Sequence, residues 1–509
     1  MMKRRFSSYR SPAVLALLLS FLSLPAHSSP LTEEFPPGVR YIPIERIVSE
    51  GRVNRTPYSA VIRASAGTDA PPDVWIPSEI LRDLQCPVVL RHEKGYFTAR
   101  ISKPAETLDI PALKTLIPGQ TAIDIDFRAI SGDAGYYFNM TGMESVTGIA
   151  AAPVDSSRRI VPAASGDILV VGKVPLMPEK GRFKAGEFAH PELDEPFGLV
   201  WDHIIKHHED ISLWGDLPTV RVVSPTWFTL SDESGTIANK AELDYTVAAH
   251  GRGWAVWALV SNDFKKERTE KFLADAAAQN AFIARMLVYS RIYDLDGINI
   301  DFENVRNEDA AAFTEFVRKF AYAARSIGLK VSVDLPVPSD WSRAYDRETL
   351  ASIVDYIAVM TYDEHWASSP KAGSTASLPW VQKAIDRTLS QVPGKKLLLG
   401  VPFYTREWAE TKARGGKISV RAKTMAMASS DARLEETGAS LKWLGDVGQN
   451  YFEYVSSDKK TYRVWVEDER SIALRLGLVK RFGLAGAAFW RKGFEKDEIW
   501  ETVGSSLSP

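Results

Sequence analysis

The chain has 509 residues, which exceeds the usual size of one domain and predicts two. It is 45% hydrophobic and 25% charged with a formal net charge of −2, a composition typical of a globular protein. It lacks the basic regions that a nucleic-acid partner would require. The single cysteine, Cys86, excludes an internal disulfide, and the eight histidines form no cluster with metal-ligand spacing. We therefore expect no metal and no cofactor.

Residues 1–28 have the pattern of a signal peptide. The basic segment MMKRRFSSYR precedes the apolar run AVLALLLSFLSL, and small residues up to Ser28 provide a cleavage site. A membrane anchor is the alternative, but the run is short, and no later stretch is apolar over the roughly 20 residues that a spanning helix needs. Arg4 and Arg5 also permit a twin-arginine signal, with flanking residues that fit poorly. We expect a secreted or cell-envelope protein, periplasmic or extracellular, with no integral membrane segment after signal removal.

Residues 30–175 are predicted to form a small β-rich module. Alternating runs such as YIPIERIVS and TAIDIDFRAI are separated by Pro and Gly, as strands are by turns. The segment 176–196 is dense in Pro, Gly and charge, which predicts a linker. The module groups no acids, histidines or serines into a reactive cluster, so its role stays open.

Residues 197–509 alternate short apolar runs with helical patterns. Eight runs, from FGLVWDHI to GLAGAAFW, alternate with segments such as 269–293 and 307–328, where apolar residues recur at spacings of three and four. This order predicts a (β/α)8 TIM barrel. The interval of about 405–483 between the seventh and eighth strands is too long for one helix. It is predicted to hold an α+β insertion, with KTYRVWVEDERS as one strand.

The fourth predicted strand, within DLDGINIDFE, has polar residues at alternate positions. Asn299, Asp301 and Glu303 share one face and are expected to point into the barrel, while the apolar residues between them pack outward. Two carboxyl groups that lie close together cannot both ionise freely, so one pKa should rise. A carboxyl that stays protonated near neutral pH is suited to be a general acid. A structural ion network is the alternative.

DGINIDFE resembles the DGxDxDxE motif of glycoside hydrolase family 18, the family of chitinases and endo-N-acetylglucosaminidases. Three further motifs of that family resemble VMTYD, VPFYTR and GAAFW, in the same order along the chain. WALVSN stands where chitinases have Ser-x-Gly-Gly, and Asn299 replaces the motif's second aspartate. Both features, with SPTWF and YDEHW, resemble the spore-germination and cortex-lytic N-acetylglucosaminidases of the family.

The resemblance implies a glycosidase in which the acetamido oxygen of the substrate is the nucleophile. Glu303 would protonate the leaving oxygen and later activate water, Asp301 would orient the acetamido group, and Tyr362 would donate a hydrogen bond to it. Asn299 would still hydrogen-bond Asp301, and Trp490 would form an apolar floor under the sugar. The residues predicted to bind substrate are Asn299, Trp490, Asp363, Tyr404, Arg406 and Trp227. Packing in the core is the alternative for each aromatic residue, and Asp334 is expected to be a structural partner.

The expected substrate is a β-1,4 polymer that contains N-acetylglucosamine, with peptidoglycan ahead of chitin. A carbohydrate-binding barrel without activity, as in lectin-like members of the family, is an alternative. Such members typically lose the acid, whereas Glu303 is present. A scaffold whose N-terminal module attaches to the cell wall is a third interpretation.

Overall fold

The computed structural model describes residues 193–205, 211–412, 418–457 and 459–508, together with residues 110–132 and shorter segments between 39 and 173. The predicted signal peptide and most of the predicted linker lie outside the described residues. Among the helices of the described part, none has both the length and the hydropathy of a membrane span.

A nine-stranded sheet precedes the barrel, in agreement with the predicted β-rich module. Its first strand pairs antiparallel with the second and parallel with the last. Ile123 and Ile125 are buried in the same apolar cluster as residues of the barrel, and Arg285 of the barrel donates a hydrogen bond to the carbonyl of Asp124 (3.4 Å). The module therefore packs directly on the barrel. Its strands are Val39–Ser49, Arg52–Arg63, Asp73–Pro77, Val89–Glu93, Tyr96–Pro104, Ala122–Gly132, Gly135–Asn139, Ile149–Val154 and Ile168–Lys173.

Eight parallel strands then close into a barrel, which confirms the predicted (β/α)8 fold. The first strand pairs with both the second and the eighth, and every other strand pairs with its neighbours in chain order. The strands are β1 (Phe197–Asp202), β2 (Val220–Pro225), β3 (Ala255–Ser261), β4 (Gly297–Asp301), β5 (Lys330–Pro336), β6 (Tyr356–Met360), β7 (Leu397–Pro402) and β8 (Gly486–Trp490). A short antiparallel pair, Phe228–Leu230 and Ile237–Asn239, follows β2.

Helices cover the outside of the barrel. The segment 269–293, predicted to be helical from its apolar spacing, belongs to two helices, because Asp275 separates them. The Asp275 carboxylate accepts hydrogen bonds from the backbone N–H groups of Ala277 (2.8 Å) and Ala278 (3.1 Å) and so caps the second helix. The helices from residue 243 onward are α1 (Leu243–Gly251), α2 (Lys266–Ala274), α3 (Ala276–Ile292), α4 (Ala310–Arg325), α5 (Arg347–Ile353), α6 (Leu378–Leu389), α7 (Met427–Thr437), α8 (Glu469–Phe482) and α9 (Ile499–Leu507). Of these, α7 belongs to the insertion between β7 and β8, and a further short helix, Leu113–Leu116, lies in the N-terminal module.

The interior of the barrel is closed at its amino end by aromatic rings. Trp257 stacks on Tyr356 (5.5 Å between ring centroids), and both meet the edge of Phe197 (6.1 and 5.3 Å). Gly297, the first residue of β4, makes room for this group, since a Cβ there would lie 2.7 Å from the Trp257 indole. On the outward face of the same strand, Ile298 and Ile300 are fully buried against the helical layer, as the alternation predicted.

The insertion between β7 and β8 contains a five-stranded antiparallel sheet and α7. A buried ion pair joins it to the barrel: Arg475 of α8 lies 2.6 Å from Glu467. The Arg475 Nε also donates to the carbonyl of Ala376 (2.9 Å), in the loop that follows β6. The insertion therefore supports a loop at the carboxyl end of the barrel. Its strands are Tyr404–Lys412, Ile418–Ala426, Lys442–Leu444, Gln449–Val455 and Thr461–Val466.

Candidate active site

Asn299 is the centre of a buried hydrogen-bond network inside the barrel. Its side-chain oxygen accepts hydrogen bonds from the Trp201 indole N–H (2.8 Å) and the Ser224 hydroxyl (3.3 Å). Its amide nitrogen donates to the Ser332 hydroxyl (3.0 Å) and to the Asp334 carboxyl (2.8 Å). The network therefore joins strands β1, β2, β4 and β5 across the barrel axis.

This network corrects one prediction about Asn299. The residue was expected to hydrogen-bond Asp301, but its amide is instead engaged by four other side chains. Its other expected role, binding of substrate, stays a prediction, and Asn299 is 0% exposed in this structure. Asp334, expected to be a structural partner, is the carboxyl group that Asn299 contacts.

Asp301, the last residue of β4, lies above this network at the carboxyl end of the barrel. Its Oδ1 is buried and accepts no hydrogen bond from any residue that the structure describes. Burial, together with the neighbouring charge of Asp334, raises the pKa of Asp301 well above its usual range. Burial likewise raises the pKa of Asp334 to about 8, although the hydrogen bond from Asn299 opposes this rise. Protons are therefore retained on this carboxyl pair near neutral pH.

Glu303 follows β4 and is held through its backbone. The Asn262 side chain donates to the Glu303 carbonyl (2.7 Å) and accepts from the Glu303 N–H (3.0 Å). Burial raises the pKa of Glu303 to about 8, and the charges of Asp301 and Asp363 add to the rise. Glu303 is therefore mostly protonated at neutral pH, as a general acid must be.

Asn262 was not among the predicted site residues. It is fully buried at the end of β3, where WALVSN replaces the serine and glycine signature of chitinases. The departure of WALVSN from that signature was the sequence feature that could have pointed to Asn262. The residues around Asn262 in the chain do not distinguish substrate contact from packing, because the partner of Asn262 is the backbone of a residue 41 positions later.

Tyr362 lies two residues beyond the end of β6, next to the same carboxyl groups. Burial and the surrounding charges, those of Asp301 and Glu303 among them, raise the pKa of its hydroxyl, which stays a hydrogen-bond donor. The Tyr362 ring packs close to Gly400 of β7, where an added Cβ would lie 3.1 Å from the ring and 2.5 Å from the Val359 carbonyl. The absence of a side chain at Gly400 thus leaves space for the tyrosine.

Asp363, Tyr404 and Arg406, all predicted to contact sugar hydroxyls, lie together. The Tyr404 hydroxyl and the Arg406 guanidinium each donate a hydrogen bond to the same Asp363 oxygen, both at 2.5 Å. Asp363 is held in a left-handed conformation (φ 61°), which is uncommon for a residue other than glycine. Tyr404 and Arg406 are almost fully buried, so of the three Asp363 presents the most surface to a ligand.

Of the two predicted tryptophans, the structure brings only Trp490 to this region. Trp490 ends β8, is partly exposed, and its ring lies 5.8 Å from that of Trp201. Trp227 is 0% exposed and packs edge-on against Tyr245 of α1 (5.1 Å). That Trp227 binds substrate stays a prediction, and in this structure its side chain is enclosed by the helical layer.

A cavity of about 700 Å³ opens beside these groups. Glu303, Tyr362 and Asp363 line part of it, and the loops after β5 and β6, together with Trp380 and Arg387 of α6, line the rest. A protonated carboxyl, a tyrosine hydroxyl and a buried second carboxyl at the carboxyl end of a barrel form an arrangement suited to acid-catalysed cleavage.

The sequence profile described as Glycosyl hydrolases family 18 matches residues 225–495, more than half of the chain. The chain belongs to glycosyl hydrolase family 18. The matched residues include the carboxyl cluster, Tyr362 and Trp490, so the site described above lies within the part that defines the family.

Relatives and a solved structure agree with membership of family 18. The uncharacterized glycosylase YvbX of Bacillus subtilis (strain 168) is 26% identical over 286 residues, 53% of this chain and 80% of that protein. The cortical fragment-lytic enzyme of the same organism is 24% identical over 248 residues, 48% of this chain and 57% of that enzyme. A chitinase from Chromobacterium violaceum ATCC 12472 shares the fold with a TM-score of 0.53 and 22% identity, over 62% of this chain and 99% of the chitinase. The predicted resemblance to family 18 and to its cortex-lytic members is confirmed.

Proposed function

We propose that the protein is a secreted or cell-envelope glycosidase that hydrolyses the β-1,4 linkage after N-acetylglucosamine, with peptidoglycan as its polymer. The observation that carries this proposal is Glu303, a carboxyl with a pKa of about 8 beside Asp301 and Tyr362. Such a group can deliver a proton to a leaving oxygen at neutral pH, a step that most glycoside hydrolases require.

In the proposed reaction the acetamido oxygen of the sugar attacks its own C1, while Glu303 protonates the leaving glycosidic oxygen. The bond between C1 and that oxygen breaks, and a positively charged oxazolinium ring forms. Asp301 orients the acetamido group by accepting a hydrogen bond from its N–H, which disperses the positive charge of the ring, and Tyr362 donates a hydrogen bond to the acetamido oxygen. Glu303, now ionised, takes a proton from water, which attacks C1 and opens the ring with retention of configuration.

The sugar under attack is proposed to lie over Trp490. Its ring offers an apolar face beside Trp201, whose indole N–H donates a hydrogen bond to Asn299 of β4. Asp363, held by Tyr404 and Arg406, is proposed to accept a hydrogen bond from a sugar hydroxyl.

Peptidoglycan is preferred because the cortical fragment-lytic enzyme is among the relatives. Both of its alternating sugars carry the acetamido group, but the bulky lactyl ether of muramic acid would have to fit against Tyr362 and Trp490, and its carboxylate would be repelled by Glu303 once Glu303 has given up its proton. N-acetylglucosamine has no such group, so it is expected to occupy the cleaved position.

The test is to incubate the protein with peptidoglycan and with chitin oligomers, reduce the products with borohydride and identify the sugar alcohol. We expect glucosaminitol from peptidoglycan. Muramicitol would overturn the assignment of the cleaved sugar. Cleavage of chitin oligomers alone would leave the proposed mechanism in place and would make chitin, rather than peptidoglycan, the substrate. Absence of cleavage in either would favour a carbohydrate-binding barrel.

Export is proposed from the sequence of residues 1–28 alone. Expression of the full chain in a bacterial host, with N-terminal sequencing of the protein from the periplasm and medium, is expected to give a mature form that begins near Ser29. A cytosolic protein that retains MMKRRF would contradict export.

A further inference from the structure

The cavity beside Glu303 has an aromatic wall that faces water. Trp341, in the loop after β5, is 67% exposed, and Trp366, in the loop after β6, is 51% exposed, and both line the cavity. Large apolar side chains left in water beside a cavity commonly mark a binding surface. Their flat rings match the apolar C–H face of a pyranose, so this wall suits a chain of sugars.

Arg387 of α6 brings a positive charge into the same cavity. Within the described part of the chain, its guanidinium forms no ion pair and no side-chain hydrogen bond, and the residue is exposed. Among the residues that line this cavity, Arg387 is the one arginine and there is no lysine. An arginine presents a fixed fork of donors that matches a carboxylate.

None of the acids that line the cavity forms an ion pair with Arg387 in the part of the chain that the structure describes. Asp363 is ion-paired with Arg406, and Glu364 accepts a hydrogen bond from the backbone N–H of Ser377 (2.8 Å). Glu303, with a pKa of about 8, is mostly neutral at pH 7. Arg387 is therefore available for a negative charge that a ligand brings.

The position of the cavity indicates which part of the substrate enters it. Trp490 and Trp201 lie at β8 and β1, whereas the cavity lies along β5, β6 and α6. In the proposed function the attacked sugar rests on Trp490, and Glu303 protonates the oxygen that joins it to the next sugar. The cavity on the other side of Glu303 is then where the leaving sugar lies.

We propose that Arg387 binds a carboxylate carried by the leaving part of the substrate. The inference rests on the proposed function and refines it, because it makes Arg387 a specificity determinant for acidic glycans. In peptidoglycan the carboxylate has two sources, the lactyl ether of muramic acid and the stem peptide. Chitin has neither, so Arg387 would discriminate between the two polymers.

The experiment compares Arg387→Met with Lys383→Met, which removes an exposed cation one turn earlier on α6 that does not line the cavity. The substrates are glycan strands freed of peptide, the same strands with their lactyl carboxylates amidated, peptide-bearing strands, and chitin oligomers. Arg387→Met is expected to lower kcat/KM on carboxylate-bearing strands by about tenfold or more, the effect of losing a charged hydrogen bond. It should change hydrolysis of amidated strands and chitin oligomers by less than about twofold, and Lys383→Met should change none.

The outcomes identify the source of the carboxylate, and they show whether a failure concerns the role of Arg387 or the proposed function. A loss on peptide-free strands assigns the carboxylate to the lactyl group, and a loss only on peptide-bearing strands assigns it to the peptide. An equal loss on all substrates, or no loss on any, overturns the inference and leaves the proposed function intact. If the wild-type protein cleaves none of them, the proposed function fails. In that case, calorimetry measures the affinity of wild type and of Arg387→Met for the free and the amidated strands. Equal affinities of the two proteins for the free strands would overturn the inference.

Discussion

The two ends of the barrel interior are built from the same strands but from opposite kinds of side chain. At the amino end, Phe197, Trp257 and Tyr356 pack ring against ring. At the carboxyl end, Asp301 and Asp334 are buried as acids, and one oxygen of Asp301 has no hydrogen-bond partner among the described residues. One end of the interior is an aromatic core, and the other is a polar site.

Along β4, the surroundings of the three inward-facing residues change from apolar at the amino end to polar at the carboxyl end. Gly297 makes room for the indole of Trp257, Asn299 is satisfied by four hydrogen bonds, and Asp301 is left with an oxygen that lacks a partner. Burying a polar group without a partner costs about 1–3 kcal/mol, whereas burying a large apolar side chain contributes about 1.5–3 kcal/mol. The amino end of the interior thus stabilises the fold, whereas the carboxyl end destabilises it. The carboxyl groups with raised pKa values lie at the destabilising end.

The largest effect expected at the carboxyl end comes from Glu303→Gln. The amide keeps the shape of the side chain but has no proton to deliver, so turnover should fall by about 100-fold to 10,000-fold, the range for general acid–base catalysis. Binding of substrate and the thermal unfolding midpoint should change little. Initial rates on the substrate identified above measure the first expectation, and near wild-type hydrolysis would remove Glu303 from the mechanism.

At the amino end the largest effect should be on stability alone. Trp257→Ala removes a fully buried indole and is expected to lower the free energy of unfolding by about 3–5 kcal/mol. The KM of the folded variant, measured well below its unfolding midpoint, should stay close to that of wild type. Tyr322→Ala on α4 is the control, because that side chain is 82% exposed and its loss should change stability by less than about 0.5 kcal/mol. A large change in KM for Trp257→Ala would mean that the two ends are not independent.

The sequence was sufficient to predict the direction in which each residue of β4 points. Alternation in a strand has a period of two, so the apolar Ile298 and Ile300 and the polar Asn299 had to occupy opposite faces. The order of strand-like and helix-like segments similarly predicted the barrel. Both are properties of local sequence.

The partners of these side chains could not be predicted in the same way. Asn299 contacts Asp334 because β4 and β5 pair with Asn299 opposite Ser332, a register that depends on tertiary packing. Trp227 lies only two residues beyond β2, yet it packs against α1, because the chain continues into the short strand Phe228–Leu230, which pairs with the end of β3. Position near a strand end did not determine on which side of that strand the indole would lie.

A smaller effect is expected from Asn262, which positions Glu303 without touching substrate. Asn262→Ala removes both hydrogen bonds to the Glu303 backbone, so kcat should fall by about tenfold while KM changes little. Asn262→Asp keeps the oxygen that accepts from the Glu303 N–H and should recover part of the rate. The measurement is kcat and KM for both variants beside their unfolding midpoints. A fall confined to stability, with kcat unchanged in the folded protein, would contradict a positioning role.

The smallest effect expected is a shift in pH dependence from Asn299→Asp, which makes the middle of β4 resemble its carboxyl end. Hydrolysis requires protonated Glu303, so activity should be lost as pH rises through the pKa of about 8. The side-chain nitrogen of Asn299 lies 2.8 Å from an oxygen of the Asp334 carboxyl. Carboxyl groups at positions 299 and 334 would therefore share one proton and retain about one negative charge. That charge disfavours ionisation of Glu303, and the basic limb of the kcat/KM profile should therefore move upward, by less than about one pH unit. Asn299→Leu removes the same hydrogen bonds without adding charge and should give no upward shift. If both variants move the limb equally, or if the aspartate moves it downward, the buried network is not electrostatically coupled to the acid.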